Sequence, residues 1–153
     1  MNKSAYYLYN NVAITVGAIV AMLKSAQSIE LARVALFLPL LLDDNIVRKI
    51  NENDEYSFDN IVSLNVLNIS NFNERYRDIL PLLMDAISIL LDMEIIVLRG
   101  VFIVNRKLDT CSSIIDECDS MRLQAITIAA DQLMKVTQNI DLSNMYFKLN
   151  VEL

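Results

Sequence analysis

The stretch from Val12 to Leu23, VAITVGAIVAML, holds no charged side chain, and wound as a helix it is apolar on nearly every side. A helix of that kind has no face to show to water, so it sits at the centre of a fold or of an assembly. Ala13, Gly17, Ala18 and Ala21 are small enough to let a neighbouring backbone approach closely. Lys24 closes the run after twelve residues, short of the roughly 20 needed to span a bilayer. Lys3 ahead of the run gives the outline of a leader peptide. Tyr6, Tyr7, Tyr9, Asn10 and Asn11 intervene, however, and a small-residue cleavage signal is weak. The reading is a core helix over 12–24 with Asn11 as its cap.

The other elements arrange themselves around that helix. Ser28 caps a second helix reaching about Leu42, with Glu30 in its first turn and Pro39 expected to kink or end it. A short helix follows over 44–50, then a loop over 51–57 and a short helix over 58–67. Residues 69–73 are a turn, and Asn71 with Glu74 matches a capping pattern for a long helix to Asp92. Glu74, Asp78, Asp85, Ser88 and Asp92 make its polar stripe. Tyr76, Ile79, Leu80, Leu83, Met84, Ile87, Leu90 and Leu91 oppose it, and Pro81 predicts a kink. EIIVLRGVFIVNR, about 94–106, reads as a hairpin, although its Arg-Gly turn is a weak signal if residue 99 must take positive φ. Asp119 or Ser120 caps a helix of about 120–137, and the alternation in the tail from Ser143 suggests an extended segment. One domain over 1–153 suits a chain of 153 residues. The fold class is mainly α with one β-hairpin. The order short helix, turn, long helix and wing is winged-helix-like.

Composition then removes most chemistry. There is no histidine, so Ser-His-Asp, Cys-His and HExxH sites are impossible within the chain. Gly17 and Gly100 are the only glycines, which excludes a phosphate-cradling loop. Cys111 and Cys118 are not in a zinc or redox spacing and read as two ordinary reduced thiols, which fits a cytoplasmic setting. No catalytic residue, cofactor or metal site is expected, and no membrane partner. The apolar share of 54% is somewhat above that of an average domain, and some of that excess is available to cover a partner.

The net charge of -6 is concentrated in two acidic, loop-like patches, Asp43 to Asp59 and Asp109 to Asp119. Asp43 and Asp44, with Glu52, Asp54, Glu55 and Asp59, have the composition of a metal-activating cluster but match no EF-hand spacing. A solvated loop, or a contact with a basic partner, is the simpler reading. Arg75 and Arg77 near the start of the long helix, and Arg99, Arg106 and Lys107 around the hairpin, are the candidate contacts to DNA or to a partner, with Arg99 at the tip foremost. Glu74, Asp78, Asp85 and Asp92 on the exposed stripe would repel phosphate. An acidic winged-helix regulator acting as a homodimer is therefore the alternative reading. A small carboxylate enzyme or toxin stands third.

YNNVAITVGAIVAML at 9–23 and VALFLPLLLDDNIVRKI at 34–50 resemble the middle components of bacterial ABC three-component systems, including the small third subunit of Lamassu-type defence systems. Tyr9, Asn10, Ala13 and Gly17 match the first motif of that family; Leu38, Pro39, Leu40 and Leu41, followed by Arg48, match the second. The long helix and hairpin over 74–104 and the tail FKLNVEL are also similar. Val12 stands where the family often has proline, which bears on how the first helix starts. The resemblance implies a non-enzymatic adaptor joining an SMC-like or ABC-type ATPase to an effector, often a nuclease, in defence against phage or plasmids. DNA would be met mainly through the ATPase.

Overall fold

The apolar run forms the second half of a 23-residue helix, α1 (Lys3–Ser25), in the computed structural model. The structure describes residues 3–53, 57–65 and 70–152, with side chains from Asn11 onward, Leu108 excepted. After α1 come β1 (Ser28–Glu30), α2 (Leu31–Leu41), α3 (Asp44–Asn51), α4 (Phe58–Leu64) and α5 (Phe72–Asp92). The hairpin strands β2 (Ile96–Arg99) and β3 (Phe102–Asn105) follow, then α6 (Leu108–Asp116), α7 (Met121–Thr137) and α8 (Leu142–Lys148). The fold is predominantly helical, with a small antiparallel sheet of order β1-β3-β2. An early strand after the first helix, joined to the second strand of a late hairpin, is a winged-helix-like order.

Every residue from Gly17 to Leu23 is buried, because α1 is packed by α2, α5, α6 and α7. One of these approaches is made at Gly17. A Cβ built there would lie 2.6 Å from Leu123 Cδ1 of α7. Hydrogen occupies that point instead, and Leu123, 6% exposed, fills the notch. α1 also starts earlier than its apolar pattern indicated. Lys3 to Asn11 holds neither glycine nor proline, so nothing stops the winding. Asn11 is consequently an interior residue, and its carbonyl accepts from Thr15 Oγ1 at 2.7 Å.

Several local expectations are corrected. Ser28 is not a helix cap; it pairs with Val104 in β1, and Ile29 pairs with Ile103. The hairpin's second strand offers an open edge there, and Ile29, 2% exposed, fills the space beneath it. Asn71 precedes α5 without a side-chain capping bond, and α5 runs through Pro81 to Asp92. Leu80 and Met84, expected on its buried side, are 36% and 58% exposed. The second acidic patch is not all loop: α6 forms within it, because buried Cys111 and Ile115 are four apart and give one turn an apolar side. The tail is helical too. Asp141 caps α8 by accepting from Ser143 N at 3.0 Å, and buried Met145 and Leu149 set a helical period that overrides the alternation. Asp54 and Glu55 of the first acidic patch, Leu67 and Ile69, and the side chains of Tyr9 and Asn10 lie outside the described residues.

The hairpin itself follows the sequence closely. Arg99 pairs with Phe102, leaving Gly100 and Val101 as a two-residue loop in which Gly100 takes φ +60°. Glycine at the first loop position is the type II′ requirement. The positive φ therefore falls on Gly100, and Arg99 stays extended. Both cysteines are free, and no helix among the described residues is long and apolar enough to cross a membrane.

Two measurable consequences follow from this packing. Gly17→Val should destabilise the fold by about 2 kcal/mol through overpacking against Leu123. Combined with Leu123→Ala, it should cost less than the sum of the two single changes; strict additivity in urea titrations would refute the contact. The second concerns Tyr146, whose hydroxyl lies 3.1 Å from that of Tyr76. Burial first, then Tyr76, raises its phenol above the ordinary value of 10.0. Because the neutral form is favoured in the fold, the unfolded chain loses this proton first, so stability declines as pH rises above about 10. Tyr146→Phe should flatten that decline in denaturation curves taken across this range; an unchanged slope would contradict it.

Candidate interaction surface

The acids and arginines singled out at the α2–α3 junction hold helices together. Asp43 Oδ1 accepts from Asn45 N and Ile46 N at 2.9 and 3.1 Å, capping α3. Its Oδ2 lies 3.1 Å from Arg75 Nη1, and Arg75 Nη2 donates to the carbonyl of Pro39. Arg122 repeats the arrangement from α7. Its Nε lies 2.9 Å from Asp44 Oδ1, and its Nη2 donates to the Leu42 carbonyl at 3.1 Å. Arg75 and Arg122 thus satisfy carbonyls at the end of α2 that have no intrahelical donor, and each also binds a carboxylate at the start of α3. Arg33 acts similarly at the exit of α7, donating to the carbonyls of Thr137 at its end and Ile140 in the following turn at 2.8 and 3.1 Å. Nothing in local sequence distinguishes Arg33 or Arg122 for this role.

The other predicted cations face outward. Arg77 is exposed on α5, and Arg99 and Arg106 are exposed on the hairpin. Lys107 Nζ lies 3.6 Å from Glu94 and 3.4 Å from the Met93 carbonyl. Strand alternation places Val97, Arg99, Phe102, Val104 and Arg106 on one outer face of the sheet, while Ile96 and Ile103 point into the core at 1% and 0% exposure. On α5, Glu74, Asp78, Asp85 and Asp92 are all exposed. The junction therefore brings Asp43 to Arg75 and Asp44 to Arg122, and α5 with the hairpin carries Arg77, Arg99, Arg106 and Lys107.

Exposed apolar side chains are unevenly spread. Of the eleven large ones among the described residues, seven lie between Leu80 and Phe102, on α5, its exit turn and the hairpin. Clustering of this kind marks contact surfaces more than scattered singles do. A second group is on α7, where Met121 and Ile128 are 85% and 53% exposed. With half-buried Ala125 they make one stripe at spacings of four and three. Two grooves flank the stripe. One, of about 710 Å³, lies between Ile128, Lys135 and the end of α1 at Ala21 and Ser25. The other, of about 480 Å³, lies between Met121, Ala125 and the Val47–Asn51 side of α3. These surfaces are suited to binding. Among the described residues no three His, Cys, Asp or Glu side chains gather as metal ligands. Burial raises the Cys111 thiol above its ordinary value, against a hydrogen bond to Asn105 that lowers it, which keeps it protonated and unreactive.

Comparison with known proteins gives no match among curated proteins and none among solved structures. The family model described as ABC-three component (ABC-3C) system Middle Component 3 matches residues 5–153. Its span takes in α1 with Gly17, the α2–α3 junction, α5, the hairpin and the terminal helices, and on that extent the chain belongs to this family of ABC three-component system middle components.

Proposed function

We propose that the chain is a non-catalytic adaptor that joins an SMC-like or ABC-type ATPase to an effector, a nuclease, in a cytoplasmic bacterial complex of the Lamassu type directed against phage or plasmids. Family membership supports a place in a multi-subunit system. The observation that carries the adaptor role is the distribution of exposed apolar side chains over two elements, α5 with the hairpin and α7. Both elements pack on α1 and turn a further face to solvent. An adaptor needs at least two such faces on one stiff body.

In this reading DNA is met chiefly by the ATPase. Arg77, Arg99, Arg106 and Lys107 are the contacts to acidic groups of a partner or to phosphate within the complex. Asp43, Asp44 and Arg75 act by positioning, since Asp43 with Arg75 fixes the junction of α2 and α3 to α5 and Asp44 with Arg122 fixes it to α7. ATP- or DNA-driven motion of the ATPase then shifts or releases the subunit and unmasks the effector. ATP hydrolysis resides in another chain.

Coexpression of the full chain with its neighbouring open reading frames tests this. The chain should copurify with the one that carries Walker motifs. Met121→Asp with Ile128→Asp should lower that capture about tenfold or more at unchanged helical circular dichroism. A monodisperse chain that ignores the ATPase would overturn the adaptor role. Capture indifferent to the two changes would remove α7 from the interface.

A further inference from the structure

The outer face of the hairpin and the outer face of α5 are opposite in charge and alike in apolar content. On the hairpin, Phe102 is 41% exposed, and half-buried Val97 and Val104 continue the strip between Arg99 at the tip and Arg106 at the base. No acid lies on β2 or β3. Glu30, opposite Phe102 on β1, is taken by Arg33 at 3.5 Å. Along α5, Asp78, Asp85 and Asp92 recur every seven residues and so stack along one line of the helix. Ile89 and Met93, 38% and 51% exposed, flank that line on one side, and Met84, 58% exposed, lies about a quarter-turn away on the other. Arg77 is also exposed, at the start of the face. Neither Arg99 nor Arg106, nor any of the three aspartates, has an ion pair among the described residues.

The spacings agree as well. Arg99 and Arg106 stand about four strand positions apart across the hairpin, or about 13 Å. Consecutive aspartates of the line are about 10 Å apart along the helix axis, a difference that two long arginine side chains absorb. A duplex would meet the acid line and be repelled. What fits both halves is a surface that is acidic and apolar opposite the hairpin and basic and apolar opposite α5, and this chain carries that surface itself. We propose that a second copy of the chain covers this face, with the hairpin of each copy seated on α5 of the other. The two faces complement each other, so one two-fold operation would satisfy both contacts at once. The inference rests on the adaptor reading and names the partner of one of its two faces as a second copy; the other face, on α7, is then offered twice, once per copy, to the ATPase and to the effector.

The test uses the full chain alone, so its failure is distinct from failure of the adaptor reading. Sedimentation equilibrium at micromolar concentration and low ionic strength should give twice the chain mass. Dissociation should strengthen at least about tenfold in 1 M salt, where screening shortens to roughly 3 Å. Arg99→Glu with Arg106→Glu should give monomer, as should Asp85→Lys with Asp92→Lys. An equimolar mixture of these two variants should restore the dimer, because each hairpin then meets a helix of opposite charge. A wild-type monomer at low salt, a dimer indifferent to both reversals, or a mixture that stays monomeric would each overturn the proposal. A monomer whose reversed forms lose capture of the ATPase would assign the face to that partner instead. The salt series needs no variant, so a charge reversal that misfolds does not leave the question open.

Discussion

The packing of the central helix is set in part by the close approach of Leu123 to Gly17. A helix buried on all sides must be packed by several neighbours at once, and α1 is packed by four helices. At an ordinary crossing two helix axes stay about 8–10 Å apart, set by the side chains between them. Here the missing Cβ lets a leucine sit directly against the α1 backbone. The consequence passes to the next residue. With Leu123 seated in the core, Arg122 projects from the same turn toward the α2–α3 junction, where it reaches the Leu42 carbonyl and Asp44. The position of α7, the end of α2 and the start of α3 are therefore set together.

Three arginines share one physical task. Arg33, Arg75 and Arg122 each carry a guanidinium to carbonyls at the end of a helix that is not their own. Helix C-termini leave carbonyls without intrahelical donors and concentrate negative partial charge, so a rigid fork of N–H donors is well matched to them. A neutral donor would satisfy the geometry at about half the strength. The two acids after α2 complete the match, because each arginine there meets a carboxylate as well as a carbonyl. Several of the chain's relatively few cations are thereby spent inside the fold, and the exposed ones are confined to fewer places.

Much of this was legible beforehand and some of it could not be. α3, α5 and α7 were readable because periodicity and side-chain chemistry coincide, with Ser120, one of two expected caps, capping α7; the cap of α3 by Asp43 emerged only from the structure. The hairpin was readable because Gly100 interrupts two β-branched runs. β1, by contrast, is three residues long and exists only because β3 has an edge to fill; no local pattern announces a strand whose partner is more than 70 positions away. Leu80 and Met84 failed for a related reason. Helical periodicity gives the direction of the apolar face but not the width of the arc that neighbours cover, and these two lie at its margin. At the candidate surface, exposed Arg99 was visible at a predicted loop tip. Arg75, Asp43 and Asp44 were visible as charges, but the pairing of Asp43 with Arg75 and of Asp44 with Arg122 is a tertiary fact. Side chains that look alike in sequence divide into ties and outward contacts only when the helices are placed.

That division bears on how such a subunit can transmit anything. α5 and α7 expose apolar faces on their outer sides and both pack on α1 on their inner sides, α7 through the Gly17–Leu123 notch. Close-packed cores do not deform smoothly, so a displacement imposed on α7 moves α1 and α5 with it. Switching would require an element with two alternative packings, and the ties at the α2–α3 junction oppose that by joining α2, α3, α5 and α7 through paired charges and carbonyls. The physical character of the chain is thus that of a stiff spacer. Coupling between partners on its two faces would come from moving the body as a whole or from releasing it, and what sets the outcome is which faces are covered.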